Sequence, residues 1–201
     1  MRSPSHGTTL VDTWTTATTY MFSSAVAANR AMTGAASDDS AADCGQANDR
    51  IEAGETRPEW HAEFTDTDPD SLGIGDSVAF TKTVTEADVR AFAAASGDTN
   101  PLHLDADYAE RTQFHERLIH GVLVGSLVSA ALARLPGLVV YLSQDFEFHA
   151  PAYPGDRLTA TIEIAEDLSD GRYRLMTTVT TDDEKTVIDG EAVVLSGPHP
   201  E

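Results

Sequence analysis

The pattern of hydrophobic positions divides the chain into two parts. Residues 9–33 carry apolar side chains at steps of three and four, which predicts an amphipathic helix. That stripe comprises Leu10, Trp14, Ala17, Met21, Ala25 and Ala28. Residues 34–70 are small and acidic and bury too little apolar surface to offset the entropy of ordering. We therefore predict an N-terminal extension over 1–70, helix followed by acidic linker, and a folded domain over 71–201.

The folded part begins with alternating positions. Residues 73–84, GIGDSVAFTKTV, alternate apolar and polar side chains with the period of two that is typical of a strand. Thr85 then precedes an acidic first turn, which predicts a capped helix that ends near Gly97. A second short helix is predicted over residues 105–112, DADYAERT.

The longest apolar segment, residues 120–135, is hydrophobic nearly all round and must form a buried helix. Turn signals then separate four predicted strands. These cover residues 138–148, 157–166, 172–181 and 186–195. One buried helix followed by consecutive strands predicts an α+β fold in which an antiparallel sheet wraps around that helix. Because a single sheet covers only part of a helix, we expect a dimer.

Composition limits the class of protein. A chain of 201 residues supports one core, and none of its apolar runs approaches the roughly 20 residues that span a bilayer. The N-terminus lacks the pattern of a secretory signal, so we expect a cytoplasmic location. The single cysteine, Cys44, excludes an internal disulfide and a multi-cysteine metal site.

Charge excludes one class of partner. The 33 acidic and 13 basic side chains give a formal net charge of −20, whereas nucleic-acid binding requires a basic surface. Self-repulsion of this size destabilises a fold unless salt screens it, which favours a halophilic source. Solubility in an ordinary cytosol is the alternative explanation.

The segment from Ser96 to Ala109, SGDTNPLHLDADYA, concentrates chemistry in a bend. Asp98, Asn100 and His103 lie within six positions around a rigid Asn-Pro step. If the carboxylate and the imidazole face an apolar pocket, they can hold one water molecule, with Asp98 as base and His103 managing the second proton. This pattern indicates hydration chemistry.

Other interpretations of the same bend remain open. Asp98 and Asn100 are also typical of an Asx turn or a helix cap, with His103 half-buried. A metal site formed by Asp98, His103 and Asp105 is a weaker interpretation, because no other histidine completes an HxH or HxxxH pair with them. We therefore expect no bound metal.

His120 and Gly121 open the buried helix, where unpaired N–H groups and the helix dipole favour a developing oxyanion. Gly121 would let a substrate carbonyl approach the amide, or it would merely permit close packing. Ser129 lies two turns further on, facing either the pocket or a carbonyl of its own helix.

Several stretches together resemble the MaoC-like family, which contains the R-specific enoyl-CoA hydratases. They are IGDSVAF, VTEADVRAFAAASGDTNPLHLDADYA, FHERLIHGVLVGSLVSAAL, YLSQDFEFHAPAYPGD and IDGEAVVL. The similarity covers roughly residues 72–196, and SGDTNPLHLD is its most specific part.

The resemblance implies a hot-dog fold, a homodimer with sheets joined edge to edge, and reversible syn addition of water to a trans-2-enoyl-CoA. Asp98 and His103 then activate the water and protonate C2, and Asn100 supports them. Gly121 polarises the thioester carbonyl, and Ser129 lies near the catalytic pair as a substrate-binding residue. We expect no cofactor, since the CoA thioester is the substrate.

Alternatives and partners stay open at this point. A hot-dog acyl-CoA thioesterase and a non-catalytic acyl-binding or granule-associated module are the competing functions. The part of the predicted helix from Trp14 to Met32 loosely resembles the helical segments of polyester-granule proteins, which suggests a granule surface or a protein partner; a flexible tail whose helix packs on its own domain is the alternative. The anionic CoA would need local cations, and the nearest are Arg111, Arg117, Arg134 and Arg157.

Overall fold

The fold is an antiparallel sheet packed against one helix. The computed structural model describes residues 51–65 and 72–198. The strands are β1 (His61–Thr65), β2 (Ser77–Thr83), β3 (Leu138–Phe148), β4 (Arg157–Asp167), β5 (Arg172–Thr181) and β6 (Thr186–Gly197). The helices are α1 (Glu86–Ser96), α2 (Pro101–Leu104), α3 (Ala106–Glu110) and α4 (Gly121–Leu132). The strands form one six-stranded sheet in the order β1-β2-β4-β5-β6-β3.

The core lies between the sheet and α4. Helix α4 packs against β2, β4 and β5, and the side chains that alternate inward along those strands are buried. They include Val78, Phe80, Leu158, Ala160, Ile162, Ile164, Leu175 and Val179. The four strands predicted after the helix are confirmed to within two residues, as is the α+β arrangement.

Helix α1 shows why its N-terminus could be predicted. The Thr85 hydroxyl accepts the Asp88 N–H at 3.2 Å, and the Asp88 carboxylate accepts the Thr85 N–H at 2.8 Å. This reciprocal capping box satisfies two donors that the first turn would otherwise leave unpaired. Gly97 ends the helix at φ 77°, a left-handed conformation that glycine adopts without a steric cost.

Helix α4 is shorter than predicted, and one of its faces is exposed. It begins at Gly121 and ends at Leu132, and Val124, Leu127, Val128 and Ala131 face the core. A stripe formed by Val122, Ser126 and Ser129 is exposed in this single chain. The sheet of one chain therefore covers only one face of the helix, as the sequence analysis expects; burial of the other face in a dimer stays a prediction.

Two further predictions differ from the structure. Within the range assigned to an acidic linker, residues 61–65 form strand β1, which pairs antiparallel with β2 and belongs to the same compact unit. Its side chains are all exposed, so no alternation in the sequence marks it. The helix predicted over 105–112 is α3, and a separate single turn, α2, precedes it.

The predicted helix over 9–33 and the rest of the linker, 34–50 and 66–70, lie outside the described residues. Within the described ranges, no helix is both long enough and apolar enough to cross a bilayer.

Candidate active site

The loop between α1 and α2 is fixed by its own side chains. The Asp98 carboxylate accepts the Asn100 N–H at 3.2 Å, which closes an Asx turn. The Asn100 side-chain oxygen accepts the Leu102 N–H at 3.0 Å, and Pro101 follows as the first residue of α2. Asp98 and Asn100 therefore do act as turn and cap residues, and this local order also holds His103 in place.

His103 projects from α2 toward the segment that precedes α4. Its Nδ1 lies 2.9 Å from the Leu118 carbonyl oxygen. Because a carbonyl only accepts, Nδ1 carries the hydrogen and the Nε2 lone pair is left for chemistry. The Leu118 N–H in turn donates to the Leu102 carbonyl at 3.2 Å, which joins the two segments through the backbone as well.

His120 approaches the same loop from the opposite direction. Its side chain is 1% exposed, and its Nε2 donates to the Asp98 carbonyl oxygen at 3.0 Å. Its ring stacks on that of His103, with centroids 3.9 Å apart, and also contacts Phe92 of α1 at 4.9 Å between centroids. From the sequence, this position was predicted to contribute only its backbone. The signal for its side chain is a histidine where Ser, Thr, Asp or Asn usually caps a helix.

The structure brings the two predicted catalytic side chains together. A carboxylate oxygen of Asp98 and one ring nitrogen each of His103 and His120 lie within 4.8 Å of one another. Such a set of oxygen and nitrogen atoms can hold a water molecule, and it has the donor types of a divalent metal site. Asp105, the third ligand of the weaker metal interpretation, instead accepts the Tyr108 N–H at 3.0 Å and caps α3.

Gly121 shares a cavity of about 350 Å³ with His103. As the first residue of α4, Gly121 has no acceptor for its N–H within the helix. The Phe148 ring lies over this glycine so closely that an added Cβ would stand 2.8 Å from Cε1. The segment after β3, including His149 and Pro151, also lines this cavity. His103 and the first residue of α4 therefore line one mainly apolar space.

His149, which lines this cavity, pairs with a carboxylate. Its Nε2 lies 3.0 Å from the Asp189 carboxylate, and the hydrogen bond raises the pKa of His149 above its ordinary value. Glu147 lies beside this pair, and one potential ligand atom from each of the three lies within 4.8 Å of the others. Glu147 and Asp189 are paired across β3 and β6, and His149 follows the end of β3.

Ser129 lies in a different space. With Gly125 and Phe146 it lines a second cavity of about 340 Å³ between α4 and β3. Gly121 and Ser129 are eight residues apart, which corresponds to about 12 Å along a helix axis. The structure of one chain therefore does not bring Ser129 next to Asp98 and His103.

Most of the arginines considered for CoA binding have partners within the chain. Arg117 donates to Glu86 at 2.5 Å, and this bond lowers the pKa of the Glu86 carboxyl. Arg134 donates to the Ala130 carbonyl, and its guanidinium lies over the Phe80 ring, 4.0 Å from the centroid. Arg157 lies 3.6 Å from the Asp182 carboxylate. Arg111 is exposed.

Comparison with known proteins places this geometry in a family. Residues 71–187 match the MaoC like domain. The (R)-specific enoyl-CoA hydratase of Rhodospirillum rubrum is 40% identical over 123 residues, which cover 60% of this chain and 85% of that protein. The 3-hydroxybutyryl-CoA dehydratase of Methylorubrum extorquens is 41% identical over 128 residues, covering 62% of this chain and 81% of that protein.

Solved structures agree with the sequence comparison. The unliganded R-hydratase PhaJ1 from Pseudomonas aeruginosa aligns with a TM-score of 0.61 and 41% identity, over 66% of this chain and 86% of that one. The fold is therefore the hot-dog fold predicted from the sequence. With more than half of its length matched, the chain belongs to the MaoC-like domain family.

Proposed function

We propose that this protein is an R-specific enoyl-CoA hydratase, a hydro-lyase that adds water reversibly to trans-2-enoyl-CoA and forms (R)-3-hydroxyacyl-CoA. One observation carries the proposal: the Asp98 carboxylate lies within 4.8 Å of a His103 ring nitrogen. His103 in turn shares a cavity with the Gly121 amide. The relatives that bear hydratase and dehydratase names support the same reaction.

The geometry divides the reaction among three groups. Asp98 accepts a proton from a water molecule whose oxygen forms the new bond to C3, while the C2–C3 π bond breaks. His103 Nε2, the nitrogen that the Leu118 carbonyl does not engage, accepts a hydrogen bond from the water and orients it. The proton that the Asp98–His103 pair takes from the water then passes to C2 on the same face, so that H and OH are added overall. The Gly121 N–H donates to the thioester oxygen as negative charge develops there. Acid–base groups of this kind contribute roughly 10²–10⁴-fold, and one oxyanion donor about 10²–10³-fold.

We propose that the reaction needs no metal or cofactor. The thioester carbonyl is conjugated with the double bond, so C3 is already electrophilic. The N-terminus of α4 would stabilise the negative charge that forms on the carbonyl oxygen, through its dipole and its first N–H group. The CoA thioester is the substrate itself.

A homodimer that joins two copies along β3 is part of the proposal. β3 is the last strand of the sheet, and it exposes Leu138, Val140 and Leu142. An exposed apolar edge strand is a template for pairing with another strand. A second copy placed there would also approach the exposed stripe of α4, which one sheet leaves uncovered.

The setting of the enzyme also remains a proposal. A net charge of −20 supports a cytoplasm of high salt concentration, where screening limits self-repulsion. The product class, (R)-3-hydroxyacyl-CoA, supports a role in polyhydroxyalkanoate or fatty-acid metabolism. Contact of the N-terminal extension with a granule or partner remains a prediction about residues outside the described ranges.

One assay tests the reaction. Purified protein is mixed with crotonyl-CoA in high salt, and loss of the enoyl absorbance is followed beside a free-thiol assay. We expect absorbance loss without thiol release. The product should be oxidised by an (R)-specific 3-hydroxyacyl-CoA dehydrogenase and not by an (S)-specific one. Thiol release would identify a thioesterase, and absence of both signals would support a non-catalytic acyl-binding module. Either result would overturn the proposal.

A further inference from the structure

His120 is a buried histidine whose presence helix capping does not explain. It occupies the N-cap of α4, yet its side chain makes no capping hydrogen bond. Residues such as Ser or Asp satisfy that position better, since their oxygens accept the N–H groups of the first turn. Among the described residues, its Nδ1 is one of two buried side-chain polar atoms without a hydrogen-bond partner. Burying an imidazole without full satisfaction is unfavourable, so another role must account for it.

The side chain connects two segments that carry the proposed chemistry. His120 Nε2 donates to the Asp98 carbonyl at 3.0 Å, while His103 Nδ1 donates to the Leu118 carbonyl at 2.9 Å. The imidazole of each segment therefore donates a hydrogen bond to a backbone carbonyl of the other segment. The bond from the Leu118 N–H to the Leu102 carbonyl lies between them. These three bonds join residues 98–103 to residues 118–120.

The two rings also constrain each other directly. They stack with centroids 3.9 Å apart and planes inclined by 30°, and Phe92 contacts the His120 ring at 4.9 Å. The His103 side chain therefore cannot change its rotamer without displacing the His120 ring, which is 1% exposed. Because the chain continues from His120 into Gly121, movement of this ring would also move the amide that faces the substrate carbonyl.

We propose that His120 is a positioning residue. It fixes the positions of Asp98, His103 and the Gly121 amide relative to one another, and it keeps the His103 hydrogen on Nδ1. The inference rests on the proposed hydratase function and extends it to a group that need not touch the substrate. Displacement of reacting groups by about 1 Å costs up to about 100-fold in rate.

Two variants separate the contributions of His120. His120→Phe keeps an aromatic ring against His103 but removes the donor to the Asp98 carbonyl. His120→Gln keeps a donor at a similar reach but removes the stacked ring. We expect His120→Phe to lower kcat for crotonyl-CoA by about 10- to 100-fold with little change in KM. His120→Gln should lose less because its amide restores the hydrogen bond. His61→Gln, at an exposed position in β1, is the control and should match the wild type.

A spectroscopic measurement tests positioning without reference to catalysis. In ¹⁵N-histidine NMR of the wild type, His103 should carry its hydrogen on Nδ1 and His120 on Nε2, with His103→Gln used for assignment. In His120→Gln, which removes the stacked ring, the His103 signals should shift toward a mixture of tautomers, a change that mere loss of stability would not produce.

The outcomes distinguish the two proposals. If the wild type hydrates no enoyl-CoA, the proposed function is wrong, while the NMR measurement still tests whether His120 fixes the His103 tautomer. If the wild type is active but His120→Phe keeps its kcat and His120→Gln keeps the His103 tautomer, the positioning role is wrong. If neither variant folds, the wild-type spectrum decides, because the opposite tautomer at either histidine would overturn the inference.

Discussion

The imidazole of His103 lies face to face with the imidazole of His120, although the two residues are separated by a short helix and a loop. His103 belongs to the turn motif recognisable in the sequence, whereas His120 belongs to the entrance of the central helix. The stack is the point at which these two parts of the site meet. It makes the geometry of the site sensitive to substitutions on either side.

Asp98→Asn and His103→Gln should each lower the rate of crotonyl-CoA hydration by about 100-fold or more, because each removes one proton-transfer group. Thermal unfolding followed by circular dichroism should change little, since Asp98 is exposed and His103 is only half-buried. A near-normal rate in either variant would show that the roles are assigned wrongly.

Gly121→Ala and Gly125→Ala form a matched pair on one helix. An added Cβ would stand 2.8 Å from the Phe148 ring at position 121 and 2.6 Å from the Phe146 ring at position 125. Only Gly121 lines the cavity that contains His103. Both substitutions add the same methyl group against an aromatic ring, so the difference in catalysis isolates access to the amide.

For this pair we expect kcat/KM for crotonyl-CoA to fall about 100-fold in Gly121→Ala, the size of a lost oxyanion donor. Gly125→Ala should affect the unfolding free energy more than turnover, because Phe146 packs against the core. Equal losses of kcat/KM in the two variants would argue against a special role for the Gly121 amide.

Val140→Lys should weaken the proposed homodimer. Val140 lies in the edge strand β3 and is partly exposed, and lysine on an edge opposes strand pairing. Sedimentation in high salt should show a dimer for the wild type and a larger monomer fraction for this variant. Met176→Lys is the control, since this exposed side chain lies on β5 inside the sheet, opposite Glu163 and Glu191. A wild type that sediments as a monomer would contradict the dimer.

Asp88 should make stability depend on acidity. Burial raises the pKa of the Asp88 carboxyl, but hydrogen bonds from Lys82 Nζ at 2.6 Å and from Thr85 outweigh it and hold the pKa below its ordinary value. A carboxyl with a depressed folded-state pKa stabilises the fold above its unfolded pKa of about 3.9, and the stabilisation is lost as pH falls through the folded pKa.

Asp88→Asn should therefore lower the unfolding free energy by about 1–2 kcal/mol at pH 7, through the lost ion pair and the weaker cap. Denaturant unfolding should show this difference shrinking as the pH falls below the unfolded pKa. Asp183→Asn, at an exposed turn between β5 and β6, is the control and should show no such trend. A difference that is constant with pH would show that the cap acts without its charge.

The sequence alone predicted the elements whose causes are local. Alternation marked β2, turn signals separated β3 to β6, and a cap residue with an acidic first turn marked α1. The Asn-Pro step marked the bend that carries Asp98 and His103. Neighbours within a few residues determine each of these. The family was recognised for the same reason, since its most specific motif is one continuous stretch.

Contacts between distant segments were decided only by the tertiary structure. β1 has no alternation because all its side chains are exposed, and only pairing with β2 makes it a strand. The exposed stripe of α4 and the separate cavity of Ser129 follow from how much of the helix one sheet covers. The role of His120 depends on a carbonyl 22 positions earlier in the chain. Such partners are brought together by packing of the whole core, which periodicity and local hydrogen bonding do not encode.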